Sequence, residues 1–285
     1  ANRTKTTDFV LIGIEGPQTV KLVLYYVLLI LYIMTLCGNL VIIVLFLESQ
    51  HLRSPLYFFL SNLALSDIFL STSVVPNLLC TLLKGRQSMS IIGCVVQVFA
   101  CGSSTAAECN LLTDNLCANL ALWSWLVSLV YSVIVVIEIL NLDFCGCNVI
   151  NYIFCDISPL LEISCSNNSL FQLTIIVISI PGVLFVFVFI IVSYVNISIA
   201  IFHIPSNPGR QKAFSTCSSH LIVVCTYFGI LTAKYTVLSK GVSLNMNKAI
   251  SLLYTAVTPL LNPIIYSLRN KDIRMALTKW IKETI

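Results

Sequence analysis

The sequence predicts an all-α membrane protein, folded as a bundle of seven transmembrane helices. Its 285 residues are 58% hydrophobic and only 10% charged, and the mean hydropathy is +0.94, whereas soluble domains are about half apolar and a quarter charged. A spanning helix needs about 20 residues, so about seven spans with short loops account for this length. We therefore expect a single membrane domain over residues 1–285.

Composition also narrows the classes of function. The net charge of +4 is spread over the loops, which gives no basis for nucleic-acid binding. The sequence has no glycine-rich phosphate loop and no zinc-like cysteine and histidine spacing, so we expect no enzyme. A transporter would show internal repeats or paired broken helices, and only one helix is strongly broken.

Most cysteines lie in apolar runs and are expected to be small core residues, among them Cys37, Cys80, Cys101, Cys217 and Cys225.

The broken helix is the apolar run from Tyr254 to Asn270. It contains Pro259 and Pro263, which a membrane helix tolerates when neighbouring helices or waters satisfy the freed carbonyls. Arg269 then follows, as expected where a helix leaves the lipid for the cytoplasm. Residues 269–285 are therefore predicted to be a cytoplasmic tail.

This run also carries a family resemblance. Asn262, Pro263 and Tyr266 form an Asn-Pro-x-x-Tyr motif that resembles the one closing the last helix of rhodopsin-like G-protein-coupled receptors. The twelve residues 259–270 resemble the olfactory receptor branch of that family. The resemblance implies a rhodopsin-like seven-helix fold, and it assigns these three residues to activation.

The amino-terminal segment and the first apolar run are consistent with an extracellular amino terminus. Residues 1–20 are expected to be extracellular, and Asn2 begins a glycosylation triplet. Lys21–Leu47 is the first predicted span, and we expect it to serve as the membrane-insertion signal in place of a cleaved signal peptide. Asn39 lies inside this span and should face the bundle interior, because an unbonded amide is costly in lipid.

Two carboxylates are predicted inside the bundle. Asp67 closes a run from His51 that is similar to the olfactory receptor pattern, and Glu108 closes a similar run from Cys94. A carboxylate at mid-membrane must be neutralised, paired or bound to a cation, and a protonated structural acid is the alternative for Asp67. The resemblance implies that both acids meet beside Asn39 and Asn262 and hold a sodium ion, since two buried carboxylates stay ionised only around a cation or a shared proton.

After Glu108 the family pattern breaks. The chain passes from Leu112 directly to Thr113-Asp114-Asn115 and then to the apolar run Leu116–Leu140, without the family's Asp-Arg-Tyr region. The third helix and the second inner loop are therefore predicted to be shortened, with a turn at Thr113-Asp114-Asn115. The rival topology, in which one of the two flanking pieces does not span, would place the carboxyl terminus outside. The basic residues are shared evenly between the two sides and do not decide the matter.

Residues 141–168 match the second outer loop of olfactory receptors. From that resemblance we expect the disulfides Cys94–Cys155 and Cys145–Cys165, in an oxidising environment where such bonds persist. Cys147 could compete in the pairing. Asn167 begins a second glycosylation triplet on the same side.

The later helices complete the resemblance. Leu170–Phe202 is the fifth predicted span, and the run from Lys212 to Leu221 is similar to the start of the family's sixth helix. By resemblance, Lys212 belongs to the segment that moves on activation.

The resemblance implies an odorant receptor that binds a small, mostly apolar volatile ligand and couples to an olfactory-type heterotrimeric G protein, as a multi-pass protein of the plasma membrane. The ligand-binding positions expected by resemblance are Gly102, Thr105, Ala106, Cys109, Tyr227, Phe228, Thr232 and Tyr254. Ordinary helix packing is the alternative role of each. The alternative function is a truncated, non-signalling receptor product that keeps the fold without the coupling motif, and retention in the endoplasmic reticulum is the alternative location. A rhodopsin-like receptor outside the olfactory branch is the third hypothesis.

Overall fold

The computed structural model describes most of the chain. The described residues are 8–53, 55–108, 117–144, 148–166, 169–203, 205–207, 209–211, 214, 221, 225–226, 229–230 and 244–284. Long apolar helices form the bundle, and a small sheet lies at its outer end. The predicted turn at Thr113-Asp114-Asn115 falls outside the described residues.

The described part of the first half of the chain contains four long helices, and the first of them includes the whole predicted span Lys21–Leu47. They are α1 Gln18–Glu48, α2 Pro55–Lys84, α3 Ile91–Glu108 and α4 Cys117–Leu140, with a 3-10 turn Gln50–Leu52 between the first two. α1 packs on α2, and α3 packs on both α2 and α4. α3 has 18 residues, about 27 Å of helix, which is close to the minimum that crosses a bilayer core.

The second half of the chain contains the outer-loop helix α5 Ile157–Ile163 and the long helix α6 Ser169–Phe202. The final span is α7 Leu244–Leu252, a π-helical turn Leu253–Val257 and α8 Thr258–Arg269, followed by α9 Lys271–Thr284. Among the described residues, three stretches are long and apolar enough to cross a membrane: Gln18–Glu48, Leu60–Lys84 and Leu244–Tyr266.

A three-stranded sheet covers part of the outer end, which the sequence analysis did not predict. The strands are β1 Asp8–Leu11, β2 Gln87–Ser90 and β3 Val149–Ile150. β1 is the central strand, antiparallel to β2 and parallel to β3. The expected extracellular amino terminus is therefore partly a strand, held by the loop after α2 and by the second outer loop.

Two apolar clusters hold the described helices together. The outer cluster lies beneath the sheet and joins Phe9 and Leu11 to Val74, Leu78 and Phe154. The inner cluster joins α1, α2, α8 and α9 at the opposite end. The two clusters fix the relative positions of α1, α2 and α8, between which the polar residues of the candidate site lie.

The prediction that Cys37, Cys80 and Cys225 are core residues is wrong, because all three are exposed. A thiol is a small apolar group, and on the outward face of a membrane helix it meets lipid at little cost. Hydropathy alone cannot separate the two positions, because both are apolar. Cys101 is half-buried, and Cys217 lies outside the described residues.

Candidate functional site

The final span is organised around its two prolines. Pro263 has no N–H, so the carbonyl of Pro259, four residues earlier, loses its helical partner. The side chain of Asn39 supplies the missing donor: its Nδ2 lies 3.0 Å from the Pro259 oxygen. The same amide nitrogen donates to the carbonyl of Thr35 at 3.0 Å. Asn39 therefore faces the bundle interior, as predicted, and it stabilises the break in the last helix.

The residue before Asn39 makes this contact possible. A Cβ placed on Gly38 would lie 3.0 Å from Cβ and 3.1 Å from Cγ of Pro263. Only a glycine lets the backbone of α1 come this close to the proline ring without displacing it. Gly38 and Asn39 thus form a close contact between α1 and α8, which we call the α1–α8 seam.

Asp67 is joined to the same segment from the other side. Its side chain is buried on α2, and Asn262 Nδ2 donates to Asp67 Oδ2 at 2.8 Å. The hydroxyls of Ser66 and Ser104 and Asn39 Oδ1 are buried and have no hydrogen-bond partner among the described residues. Asp67 is thus hydrogen-bonded to Asn262, and Asn39 is hydrogen-bonded to Pro259, which precedes Asn262 by three residues. The side chain of Glu108 is not described, so its approach to Asp67 stays a prediction.

A small cluster of aliphatic, aromatic and thiol side chains lies in the outer half of the bundle. Leu70 of α2 and Tyr254 of the π-helical turn are buried against each other, and Cys101 of α3 and Ile230 pack on them. Tyr254 was a predicted pocket residue. Leu70 and Cys101 were not, although Cys101 lies one turn before Thr105 on the predicted face and the helical spacing could have indicated it.

Of the other predicted pocket residues, the structure describes the surroundings of Gly102 only. Gly102 faces α4, because a Cβ on it would lie 3.2 Å from Ser132 Oγ; it permits close packing of α3 on α4. The side chains of Thr105 and Ala106 are not described. Further predicted residues lie outside the described part of the chain, namely Cys109, Tyr227, Phe228, Thr232, Lys212, Cys145, Cys147, Asn2 and Asn167. Their assignments stay predictions.

The outer end of α3 is tied to the second outer loop. The predicted disulfide Cys94–Cys155 is present. Beside it, Gln97 accepts from the backbone N–H of Cys155 at 2.8 Å and donates to the carbonyl of Ser73 at 2.6 Å. One side chain therefore links the loop, α3 and α2. Cys165 is also disulfide-bonded, and its predicted partner Cys145 is outside the described residues.

The inner end contains the last residue of the Asn-Pro-x-x-Tyr motif. Tyr266 is buried in the inner cluster, which also contains Ile42 of α1 and Leu60 of α2. Nearby, Tyr57 donates to Asn270 Oδ1 at 3.2 Å and to Asp272 Oδ2 at 3.1 Å. These bonds fix the start of α9 against α2.

Comparison with known proteins identifies the architecture. A family model described as "Olfactory receptor" matches residues 28–112 and 103–284. The chain belongs to the olfactory receptor family. This chain is 35% identical to olfactory receptor 6N1 of Homo sapiens over 302 residues, covering 99% of this chain and 97% of the relative. It is 42% identical to olfactory receptor 5p57 of Mus musculus over 305 residues, covering 99% and 97%.

A solved structure shows the same fold. The crystal structure of squid rhodopsin superposes with a TM-score of 0.66 and 16% identity, covering 95% of this olfactory receptor and 88% of the rhodopsin chain. The predicted rhodopsin-like bundle is therefore confirmed. The chain is a multi-pass plasma-membrane receptor and not an enzyme, as predicted.

The comparisons also bear on the shortened segment. The alignment to the human relative runs over 302 residues although this olfactory receptor has 285, so the relative contains residues without a counterpart here. The family model matches in two pieces, and the first piece ends at 112. Both findings agree with a missing Asp-Arg-Tyr region after Leu112.

Proposed function

We propose that this olfactory receptor binds a small, mostly apolar volatile ligand in the outer half of the bundle. The observation that supports this is the cluster of Leu70, Cys101, Tyr254 and Ile230, which brings α2, α3 and the last span together one to two helical turns below the disulfide. Apolar side chains with a few polar groups are typical of sites that hold small molecules by burial. The predicted residues Thr105 and Ala106 follow Cys101 on α3, and Cys109 follows them in the sequence.

We further propose that coupling to an olfactory-type G protein is weak in this chain. The described part of α3 reaches Glu108, and the Asp-Arg-Tyr region, which the resemblance assigns to G-protein contact, is missing from the sequence that follows. Asn262, Pro263 and Tyr266 remain in place in α8. Ligand binding and helix rearrangement are therefore retained in this proposal, whereas the surface that contacts the G protein is incomplete.

The test is cyclic AMP production in transfected cells exposed to a panel of small apolar volatile compounds. We compare this chain with a variant in which the family's missing segment is inserted between Leu112 and Thr113. Because a coupling free energy of about 1–3 kcal/mol changes an equilibrium constant about 5- to 150-fold, we expect the response of this chain to be at least about fivefold weaker. Surface delivery of both chains is measured in parallel.

Each outcome of that comparison has a definite meaning. A strong ligand-dependent response from this chain would contradict weak coupling. A response only from the restored chain supports both parts of the proposal. If both chains reach the surface and neither responds, a non-signalling receptor product becomes the better account, and that alternative rests on the same missing segment.

We also propose that Asp67 holds a sodium ion, with Asn39, Asn262 and Glu108 nearby. The residues present suit a hard cation, because Asp67 supplies a carboxylate and Asn39 Oδ1 and the hydroxyls of Ser66 and Ser104 are buried oxygens with no partner among the described residues. Sodium prefers oxygen ligands, and a cation would keep buried carboxylates ionised. When bound, the ion would supply a positive charge that holds α1, α2 and α8 together in the resting state.

Thermal unfolding of the purified receptor tests the sodium site. We expect the midpoint to rise by about 2–4 °C when N-methylglucamine chloride is replaced by sodium chloride at constant ionic strength, because a ligand that binds only the folded state stabilises it. Asp67→Asn should abolish the increase, and Glu162→Gln, at an exposed carboxylate of α5, should leave it intact. An equal increase in all three proteins would show a general salt effect and would rule out the site.

A further inference from the structure

A cavity lies at the inner end of α6, between the last turn of that helix and the segment that follows it. Its volume is about 410 Å³, which is within the range of about 300–1,000 Å³ that is usual for sites of small ligands. The wall on α6 includes Ser198 and Phe202. These two residues are four apart, so they lie on the same face of the helix.

The second wall is one face of the chain after α6. It consists of Asn207, Arg210, Gln211 and Phe214, which are all helical and have the i, i+3, i+4 and i+7 spacing of one helix face. This wall presents a guanidinium, two amides and an aromatic ring to the cavity. A guanidinium is a planar fork of five N–H donors that fits a phosphate group, and the amides can donate to the same oxygens.

The length of α6 places the cavity at the inner surface of the membrane. The helix begins after the second outer loop and has 34 residues, which correspond to about 51 Å. The hydrocarbon core of a bilayer is about 30 Å thick, and the headgroup regions increase this to about 40–45 Å. The last turn of α6, residues 198–202, therefore lies at the level of the inner headgroups.

The cavity also borders an apolar surface that faces the lipid. The rings of Phe202 and Phe214 are 73% and 66% exposed. Val192, Val195 and Ile199 are exposed as well, and their spacing places them with Phe202 along one side of α6. An occupant with a hydrocarbon chain can contact this side and the polar wall together, whereas a small soluble anion can use only the polar wall.

The charge of this part of the chain favours an anion. The sequence contains no acidic residue between Glu162 and Asp272, whereas Arg210 and Lys212 occur directly after α6. The cytoplasmic leaflet is rich in anionic lipids, and basic pockets at the inner ends of membrane helices attract their headgroups. The positive charge of the cavity wall and its depth in the membrane thus point to the same class of ligand.

We propose that this cavity binds an anionic phospholipid of the inner leaflet, with its phosphate on Arg210 and an acyl chain along the exposed side of α6. The amides of Asn207 and Gln211 donate to the headgroup, and Phe214 covers its glycerol part. The bound lipid contacts both walls and holds the inner end of α6 against residues 207–214. This site is separate from the proposed odorant site in the outer half of the bundle.

Native mass spectrometry of the full chain in detergent tests the site. Phosphatidylserine and phosphatidylcholine with the same acyl chains are the probes, and we expect the receptor to retain phosphatidylserine preferentially. Arg210→Gln keeps a polar side chain and removes the charge. It should weaken phosphatidylserine binding at least about tenfold, because a hydrogen bond to a charged group contributes about that factor or more. Arg274→Gln, at an exposed arginine of α9, is the matched control and should leave the binding unchanged.

A second variant and a cross-link give independent readouts. Gln211→Glu places a carboxylate on an exposed residue of the same wall, and it should weaken phosphatidylserine binding by repulsion even if Arg210→Gln does not fold. Phosphatidylserine with a photoactivatable diazirine near the start of one acyl chain is then added to the receptor in nanodiscs. We expect the cross-links that depend on Arg210 to lie in residues 192–214, as located by peptide mass spectrometry.

Each possible result either supports or overturns the site. A preference for phosphatidylserine that Arg210→Gln or Gln211→Glu removes and Arg274→Gln retains, together with cross-links in residues 192–214, supports it. Equal binding of the two lipids, an equal loss in Arg274→Gln, or cross-links unaffected by Arg210→Gln would overturn it. Displacement of the lipid by an equal concentration of soluble glycerophosphoserine would show a site for free anions and would overturn the lipid as its occupant.

These measurements use neither an odorant nor a G protein. A receptor that fails to signal can therefore still support the lipid site, and a signalling receptor can still refute it.

Discussion

Cys155→Ser is expected to lower the free energy of unfolding by about 2–4 kcal/mol and to reduce delivery to the cell surface. The disulfide joins residues separated by 61 positions, and closing a loop of that length removes much of the disorder of the unfolded chain. Membrane insertion already confines α2 and α3, so the effect lies below the full loop-closure value of about 4 kcal/mol. Thermal unfolding in detergent and surface labelling measure the two effects.

The matched control is Cys80→Ser, the same chemical change at an exposed cysteine on α2. It should change the free energy of unfolding by less than about 0.5 kcal/mol, as is usual for surface substitutions. In Cys155→Ser the backbone N–H of residue 155 can still donate to Gln97, so the loop should loosen rather than detach. Equal effects of the two substitutions would show that the disulfide contributes no special stability.

The spans could be predicted from the sequence because lipid imposes a strict length and hydropathy on a helix. The predicted fifth span Leu170–Phe202 differs from helix α6 by one residue at its start. The sheet could not be predicted in the same way. β1 is a short apolar stretch whose partners lie about 80 and 140 residues further along the chain, and strand pairing at that distance leaves no local periodicity.

The candidate site, like the fold, could be predicted from the sequence only in part. Asn39 and Asp67 were predicted to lie inside the bundle because polar groups in lipid need partners, and the resemblance implied that Asn262 lies beside them. Each of the three has a partner. The partner of Asn39 was not predicted, although the proline four residues after Pro259 indicates a carbonyl without a helical donor. Lys248 of α7 is buried and donates to the Gly13 carbonyl and to Asn151 Oδ1, which the sequence did not predict. Its burial depends on Gly13 and Asn151, which are distant in sequence.

Gly38→Val is expected to have the largest effect on the helix bundle itself. A Cβ at Gly38 already lies 3.0 Å from Pro263 Cβ, and the two methyl groups of valine would force α1 and α8 apart. Overpacking of this kind costs about 1–3 kcal/mol. The neighbouring bond from Asn39 to Pro259 would lengthen, and a buried carbonyl without a donor costs about 1–3 kcal/mol more. We therefore expect a loss of about 2–6 kcal/mol in the free energy of unfolding, measured by thermal unfolding.

A glycine-to-alanine substitution at a second position serves as a control, because there it should raise the stability. No described atom lies within 4 Å of a Cβ placed on Gly229, so Gly229→Ala should raise stability by up to about 1 kcal/mol through helix propensity alone. Gly38→Ala gains the same propensity but meets Pro263, so it should be the less stable of the two alanine variants. If Gly38→Ala and Gly229→Ala were equally stabilised, the contact with Pro263 would not limit the approach of α1 to α8. A graded loss from alanine to valine at Gly38 alone would show that this seam sets the distance between the first and last helices.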